Sequence, residues 1–344
     1  MTALSLGTCA FGRAIDHDGV PLDGGLPLAG RRVGVTLRVP RPNERGPVCE
    51  PFWTGVRVVD GLLTFGRGAR VGIFGSPGAG KSTLIESIVD RCNADAVVIA
   101  LVGERGREAQ RWIERRDPRT TIVCATSDRA AAERIRASVV ALAHATALRE
   151  RGLHVLVVLD SLARVAGALR ERATGAGESV GRAGYPPSVF GEMARLIEVA
   201  GPTASGSITL VATVLNDGDD RDPVSDAARA LLDGHLVLSD RLAREGRFPA
   251  VDVLASASRT MPSIVDGAHA QCAARVRAAM AVLDRTADAR SLGIQPVEAA
   301  ALAAVAAEER IERFVRELAP ADAAASVAAL ADLADTLEVP DGHQ

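Results

Sequence analysis

The chain has 344 residues, of which 47% are hydrophobic and 24% charged, and it carries a formal net charge of −3. That length suits one large α/β domain plus a smaller helical one, and the balance is globular rather than disordered. The near-neutral charge excludes bulk attraction to nucleic acid or anionic lipid, no leader pattern opens the chain, and no apolar run approaches bilayer-spanning length.

From the beginning of the chain, residues 1–50 are rich in Gly, Pro and Arg and read as an irregular lead-in with short strands. From Arg70 to Leu215, apolar runs alternate with helical stretches. The expected strands are Val71–Phe74, Val97–Val102, Thr121–Ala125, His154–Leu159 and Ser207–Leu215. Their continuous apolarity suits strands buried on both faces of a parallel sheet. Between them, Ser82–Arg91 and Arg129–Glu150 show helical three- and four-residue spacing. This alternation predicts a doubly wound α/β domain over 51–262. Beyond Pro262 the sequence turns Ala-rich and helical to Leu337, which predicts a small helical domain over 263–344. Five widely spaced cysteines (Cys9, Cys49, Cys92, Cys124, Cys272) fit neither a zinc site nor a disulfide framework. Buried, reduced thiols in a cytosolic protein are the expectation.

Lys and Arg together number 40, yet the chain has a single lysine, Lys81. A compact ammonium fits a tight phosphate cradle where a planar guanidinium does not. Lys81 lies in Gly75-Ser76-Pro77-Gly78-Ala79-Gly80-Lys81-Ser82, a full P-loop pattern with an apolar strand before it and a helix after it. The glycines let backbone N–H groups turn inward to phosphate oxygens, and the helix N-terminus adds partial positive charge. Lys81 would reach the β- and γ-phosphates of ATP, the Ser82 hydroxyl would ligate Mg²⁺, and Thr83 would add a contact near the α-phosphate. The plain alternative, a glycine-rich turn that matches by accident, must explain strand, helix and sole lysine together.

Two carboxylates stand at strand ends. Val155–Leu159 delivers Asp160 as a Walker B aspartate delivers its carboxylate to Mg²⁺, although strands often end in Asp as a helix cap. Glu104 follows Val97–Val102 inside Gly103-Glu104-Arg105-Gly106-Arg107-Glu108. It suits a group that activates the water attacking the γ-phosphate, and it equally suits a solvated charge cluster.

Taken together, several stretches resemble the flagellar and injectisome secretion ATPases, relatives of the rotary ATP synthase catalytic subunit. They are Gly12–Asp16, Thr54–Arg57, Asp60–Thr64, Gly103–Glu108, Ala125–Asp128, Asp160–Arg164, Gly184–Phe190, Gly218-Asp219-Asp220, Leu232–His235, Phe248–Leu254 and Ser258-Arg259, and they cover 12–262 in the family's order. The resemblance implies a P-loop, RecA-like fold and Mg²⁺-dependent ATP hydrolysis by a homohexameric ring. It assigns Glu104 as the catalytic glutamate and Arg259 as an arginine finger inserted into the neighbouring subunit's site. Phe248 matches a position that packs on adenine, and Arg105 a position near the γ-phosphate. Tyr185, the sole tyrosine, matches a loop near the pore or stands as a local packing anchor.

The family's amino-terminal β-barrel has no counterpart in the match. The segment Glu114–Pro118 is short, Arg172–Val180 replaces a Gly-Glu-Pro-Pro segment, and Gly293-Ile294-Gln295-Pro296 replaces a Gly-Ala-Tyr turn. The implied role is to energise type III protein secretion by releasing chaperones and unfolding export substrates, in the injectisome branch by the detail of Val123–Thr126 and Leu254–Ser256. The implied partners are further copies of the chain, stator and central-stalk proteins, chaperone–substrate complexes and the export gate. Membrane contact would be peripheral, at the inner membrane, with no nucleic acid. Two alternatives are an inactive structural ring subunit that binds nucleotide and a nucleic-acid translocase of the same superfamily; 3% aromatic content offers the latter little stacking surface.

Overall fold

The computed structural model describes residues 3–215, 222–319 and 323–337. In chain order, the first fifty residues carry β1 (Ala3–Ser5), β2 (Ala14–Asp16) and β3 (Arg32–Gly34). Next come β4 (Pro51–Phe52), α1 (Arg57–Leu62), β5 (Phe65–Gly66), β6 (Arg70–Gly75) and α2 (Lys81–Arg91). The alternation continues through β7 (Ala96–Val102), α3 (Gly106–Arg115), β8 (Thr120–Ala125), α4 (Ala131–Arg149), β9 (His154–Asp160), α5 (Leu162–Gly175) and α6 (Pro187–Ile197). It closes with β10 (Gly201–Pro202), β11 (Ser207–Leu215), α7 (Pro223–Leu231), β12 (Gly234–Leu238), α8 (Asp240–Arg244) and β13 (Val251–Ser258). Four helices follow: α9 (Met261–Ile264), α10 (Gly267–Ser291), α11 (Ala299–Arg316) and α12 (Ala323–Asp335).

The chain divides into two compact units. The first comprises Met1–Glu50, Gly66–Pro77 and Ala94–His235; the second comprises Pro51–Phe65, Gly78–Asn93 and Leu236–Gln344. In the first unit β6, β11, β9, β7, β8 and β2 lie side by side and parallel, with β10 antiparallel on β11. All seven residues of β7 and the first six of β9 are buried, as strands covered on both faces require. Val98 and Ala100, with Val157 from the next strand, share a core with α4 residues such as Val140, Ala141 and Leu148. The five expected strands are all present, and the sheet is the expected doubly wound one.

The lead-in contributes more than irregular chain. Its Ala14–Asp16 extends the parallel sheet, in register Ala14↔Ile122 through Asp16↔Cys124. His144 on α4 holds the same segment from below: Gly7 N–H donates to Nδ1 at 3.1 Å, and Nε2 lies 3.1 Å from Thr121 Oγ1. Thr121 in turn donates to the Ala10 carbonyl at 2.7 Å, so the ring is neutral with its proton on Nε2.

In the second unit α10, α11 and α12 pack on one another and on α1. Asp60, buried on α1, accepts from Thr54 N–H at 2.8 Å, Thr54 Oγ1 at 2.7 Å and Gly55 N–H at 2.9 Å. Gly55 has φ +71°, and a Cβ there would meet Arg91 Cβ at 2.3 Å, so no other residue fits. The strands β12 and β13, which the sequence shows only as motif fragments, also correct the expected pattern: β12 alternates buried and half-buried residues, and β13 leaves Leu254 and Ala255 exposed, so neither is a continuously buried apolar run. The cysteines are all free, but only Cys92 and Cys124 are buried; Cys9 and Cys272 are half-buried and Cys49 is exposed.

Candidate active site

Parallel neighbours end at the same edge of a sheet, so the first unit gathers chemistry at the carboxyl ends of β6, β9 and β7. Leu101 pairs with Asp160 across β7 and β9, and Leu215 pairs with Gly75 across β11 and β6. The P-loop therefore starts, and Asp160 and Glu104 stand, at one edge. Thr213 on β11 donates to Asp160 Oδ1 at 2.6 Å, which fixes the orientation of that carboxylate. Ser161, rather than Asp160, caps α5: its Oγ accepts from Arg164 N–H at 3.3 Å. The helix-cap explanation of Asp160 is thereby removed.

Glu104 is 8% exposed, so it is not part of a solvated cluster. Its Oε2 lies 2.8 Å from Arg164 Nη1. Burial pushes its pKa up to about 8, aided by a hydrogen bond shared with Glu108 and by the Asp160 charge, against the opposing Arg164 guanidinium. Glu108 moves down in return, because it accepts that hydrogen bond. A carboxylate tuned toward neutrality is suited to taking up a proton near pH 7. Arg105 is the exposed N-cap residue of α3.

The second unit holds the remainder of the P-loop and a base-sized recess. Gly78 and Gly80 adopt φ of +89° and +94°, which turn the loop into the first turn of α2, where Lys81, Ser82 and Thr83 stand. A cavity of about 190 Å³ opens beside them, lined by Gly80, Thr83, Leu84, Phe248, Pro249 and Arg316 among others. Phe248 is 49% exposed, and a Cβ on Gly80 would touch its ring at 3.6 Å. A large aromatic left half open is not a core residue, and its ring is free to meet another flat group. Arg259 follows β13 and is exposed. Tyr185 packs locally, 6.0 Å from the Phe190 ring with Arg170 5.1 Å over its face.

Residues 55–258 match the model of the ATP synthase alpha/beta family, nucleotide-binding domain. The chain belongs to that family. Within it, the type 3 secretion system ATPase of Xanthomonas euvesicatoria is 46% identical over 286 residues, which are 81% of this chain and 65% of that relative's length. The flagellum-specific ATP synthase of Bacillus subtilis is 43% identical over 84% of this chain and 68% of its own. Among solved structures, the assembled ATPase EscN in complex with its central stalk EscO, from enteropathogenic E. coli, superposes with a TM-score of 0.89 at 34% identity. That superposition covers 96% of this chain and 83% of EscN. The chain thus carries the nucleotide-binding domain of the ATP synthase alpha/beta family and is similar to that family's secretion ATPases.

Three residues that touch the candidate groups have no role assigned by the sequence. Arg164 was visible only as the end of the Asp160–Arg164 motif; its position one helical turn into α5 is what brings it to Glu104. Thr213 and Arg316 carry no motif signal at all. The Gly218-Asp219-Asp220 motif lies outside the described residues. Among the described residues no helix is long and apolar enough to cross a membrane.

Proposed function

We propose that this family member hydrolyses ATP as a subunit of a homohexameric ring that energises type III protein secretion, of the injectisome kind. The observation that carries this reading is Glu104: a buried carboxylate with a raised pKa, at the sheet edge where the P-loop begins, next to Asp160. Lys81 and the loop Gly75–Ser82 would bind the triphosphate, with Ser76, Pro77 and Ala79 shaping the loop and Thr83 near the α-phosphate. Phe248 would stack on adenine. Glu104 would take the proton of the attacking water as its oxygen bonds to the γ-phosphorus and the β–γ bridge breaks to release ADP. Arg164 would steady that carboxylate, and Arg259 and Arg105 would face charge on the γ-phosphate, Arg259 from a neighbouring copy.

Mg²⁺ fits the donors present. Asp160 offers a carboxylate oxygen and Ser82 a hydroxyl, both hard oxygen donors of the kind Mg²⁺ prefers. When bound, Mg²⁺ would neutralise phosphate charge.

The relatives' names support secretion as the work done, and the assembled EscN supports self-assembly and a central-stalk partner. Stator proteins, chaperone–substrate complexes and the export gate complete the proposed partners, in the cytoplasm at the inner membrane. Residues 51–262 would form the ATPase domain and 263–344 the helical one.

Mixing two inactive variants tests the shared site. Glu104→Gln and Arg259→Ala should each lose at least about 100-fold in phosphate release. Mixed at equal concentration they should recover measurable turnover, because some interfaces then pair an intact Glu104 with an intact Arg259. No recovery would remove the finger acting between copies. Nucleotide binding without any wild-type turnover would instead leave the structural ring subunit.

A further inference from the structure

The residue just before Phe248 is Arg247, and it is 8% exposed. Its Nη1 lies 3.2 Å from Glu312 Oε1 on α11, while its Nε and Nη2 are buried with no hydrogen-bond partner among the described residues. Glu312 therefore provides the one counter-charge within ion-pair reach of a buried guanidinium among those residues. The other oxygen of the same carboxylate, Oε2, accepts from Arg316 Nε at 3.3 Å. Arg316 and Phe248 are both walls of the 190 Å³ recess. One carboxylate thus holds both walls, one directly and one through the backbone of an adjacent residue.

Glu308, Glu312 and Arg316 stand at four-residue intervals and so form one stripe along α11. At the far end of that stripe Glu308 pairs with Arg290 of α10 through two hydrogen bonds, at 2.5 and 3.1 Å. Past its last turn, α11 is pinned again: Ala319 N–H donates to the Gly55 carbonyl at 3.2 Å. The carboxyl-terminal half of the helix is thus held at Glu308 and again just past its end, with the Arg247–Glu312–Arg316 cluster between.

We infer that Glu312 is a positioning residue for the base recess, through which the α10–α11 pair sets the affinity for the nucleobase but not for the phosphates. This rests on the proposed reading in which Phe248 stacks on adenine. Its consequence is regulatory. Anything that displaces α11 moves the Phe248 and Arg316 walls, while Gly75–Ser82 and its phosphate contacts stay as they are.

The test compares ATP with inorganic tripolyphosphate, which has the phosphates and no base. Glu312→Gln should weaken ATP binding about fivefold and leave tripolyphosphate unchanged. Phe248→Ala should do the same more strongly, and the double variant should lose less than the product of the two single effects, since both act on one recess. Equal weakening of both ligands, or additive losses in the double variant, would overturn the inference. An effect of Phe248→Ala without one of Glu312→Gln removes the inference and spares the base reading. No effect of Phe248→Ala removes both. If Glu312→Gln fails to fold, Glu312→Asp, which keeps the charge and retracts it by one methylene, is judged by the same ratio of the two ligands.

Discussion

At the carboxyl edge of the first unit, Glu104 is buried among two further carboxylates and one arginine; in the second unit, Arg247 is buried against a single carboxylate. Burial opposes charge in both places, raising the pKa of the acid and lowering that of the arginine. The outcomes differ because the groups do. A carboxylate whose pKa lies near the working pH can exchange a proton with water, whereas a guanidinium keeps its charge and must keep a partner. The first arrangement is tuned for chemistry and the second for geometry. Damage to the first should therefore appear in turnover, and damage to the second in affinity.

The sharpest way to break this contrast is kinetic. Asp160→Asn should lower kcat by about 100-fold or more, because it disturbs charge that matters most in the transition state. Phe248→Ala should raise KM about tenfold, the usual worth of a base stacked on an aromatic ring, and leave kcat within a few fold. Steady-state kinetics of the two variants side by side decide the matter. A fall in kcat with Phe248→Ala as large as that with Asp160→Asn would erase the distinction.

A finer test uses pH. Protonated Glu104 cannot accept a proton, so kcat/KM should rise with pH through a limb above the ordinary carboxylate range, near the value of about 8 that burial imposes on the free protein. Arg164→Gln removes the opposing cation and should move this limb up by about one unit. Glu108→Gln removes a neighbouring acid while still offering a hydrogen bond to ionised Glu104, so it should move the limb down. Shifts in the same direction for both variants would mean that Glu104 is not the group titrating.

How much of this was legible in the sequence follows from the range of each signal. The five central strands are long apolar runs, and the P-loop is a contiguous pattern with an obligatory lysine, so both can be read from neighbours in the chain. Glu104 was ambiguous because the difference between a buried general base and a solvated charge is burial, which depends on α5 and on Asp160 some 56 residues on. Arg164 closes a motif that gives it no role, and Thr213 and Arg316 lie in no pattern, since each matters only through its contacts with other parts of the chain. The strand Ala14–Asp16 is three residues long, too short for any period to show, and both its sheet partner and the histidine that ties down Gly7 lie more than a hundred residues away.

That histidine supplies the smallest and most local prediction. His144 is fully buried, and burial alone lowers its pKa from 6.5 to about 4. A base with a depressed folded pKa contributes stability that is complete above the unfolded value and is lost as pH falls toward the folded one. The window here is therefore pH 6.5 down to 4, with up to about 3 kcal/mol at stake. Protonation would turn Nδ1 from an acceptor into a donor facing Gly7 N–H, so the loss should fall first on the docking of residues 7–16. His144→Gln, which keeps a donor and an acceptor but does not titrate, should start less stable at pH 7.5 and lose less on acidification. Urea midpoints of the two proteins should converge between pH 6.5 and 4, and amide exchange at Ala14–Asp16 should quicken over the same window in the wild type only. Parallel midpoint curves would show that the first unit loses stability in acid through its carboxylates instead, and that the His144 link is merely packing.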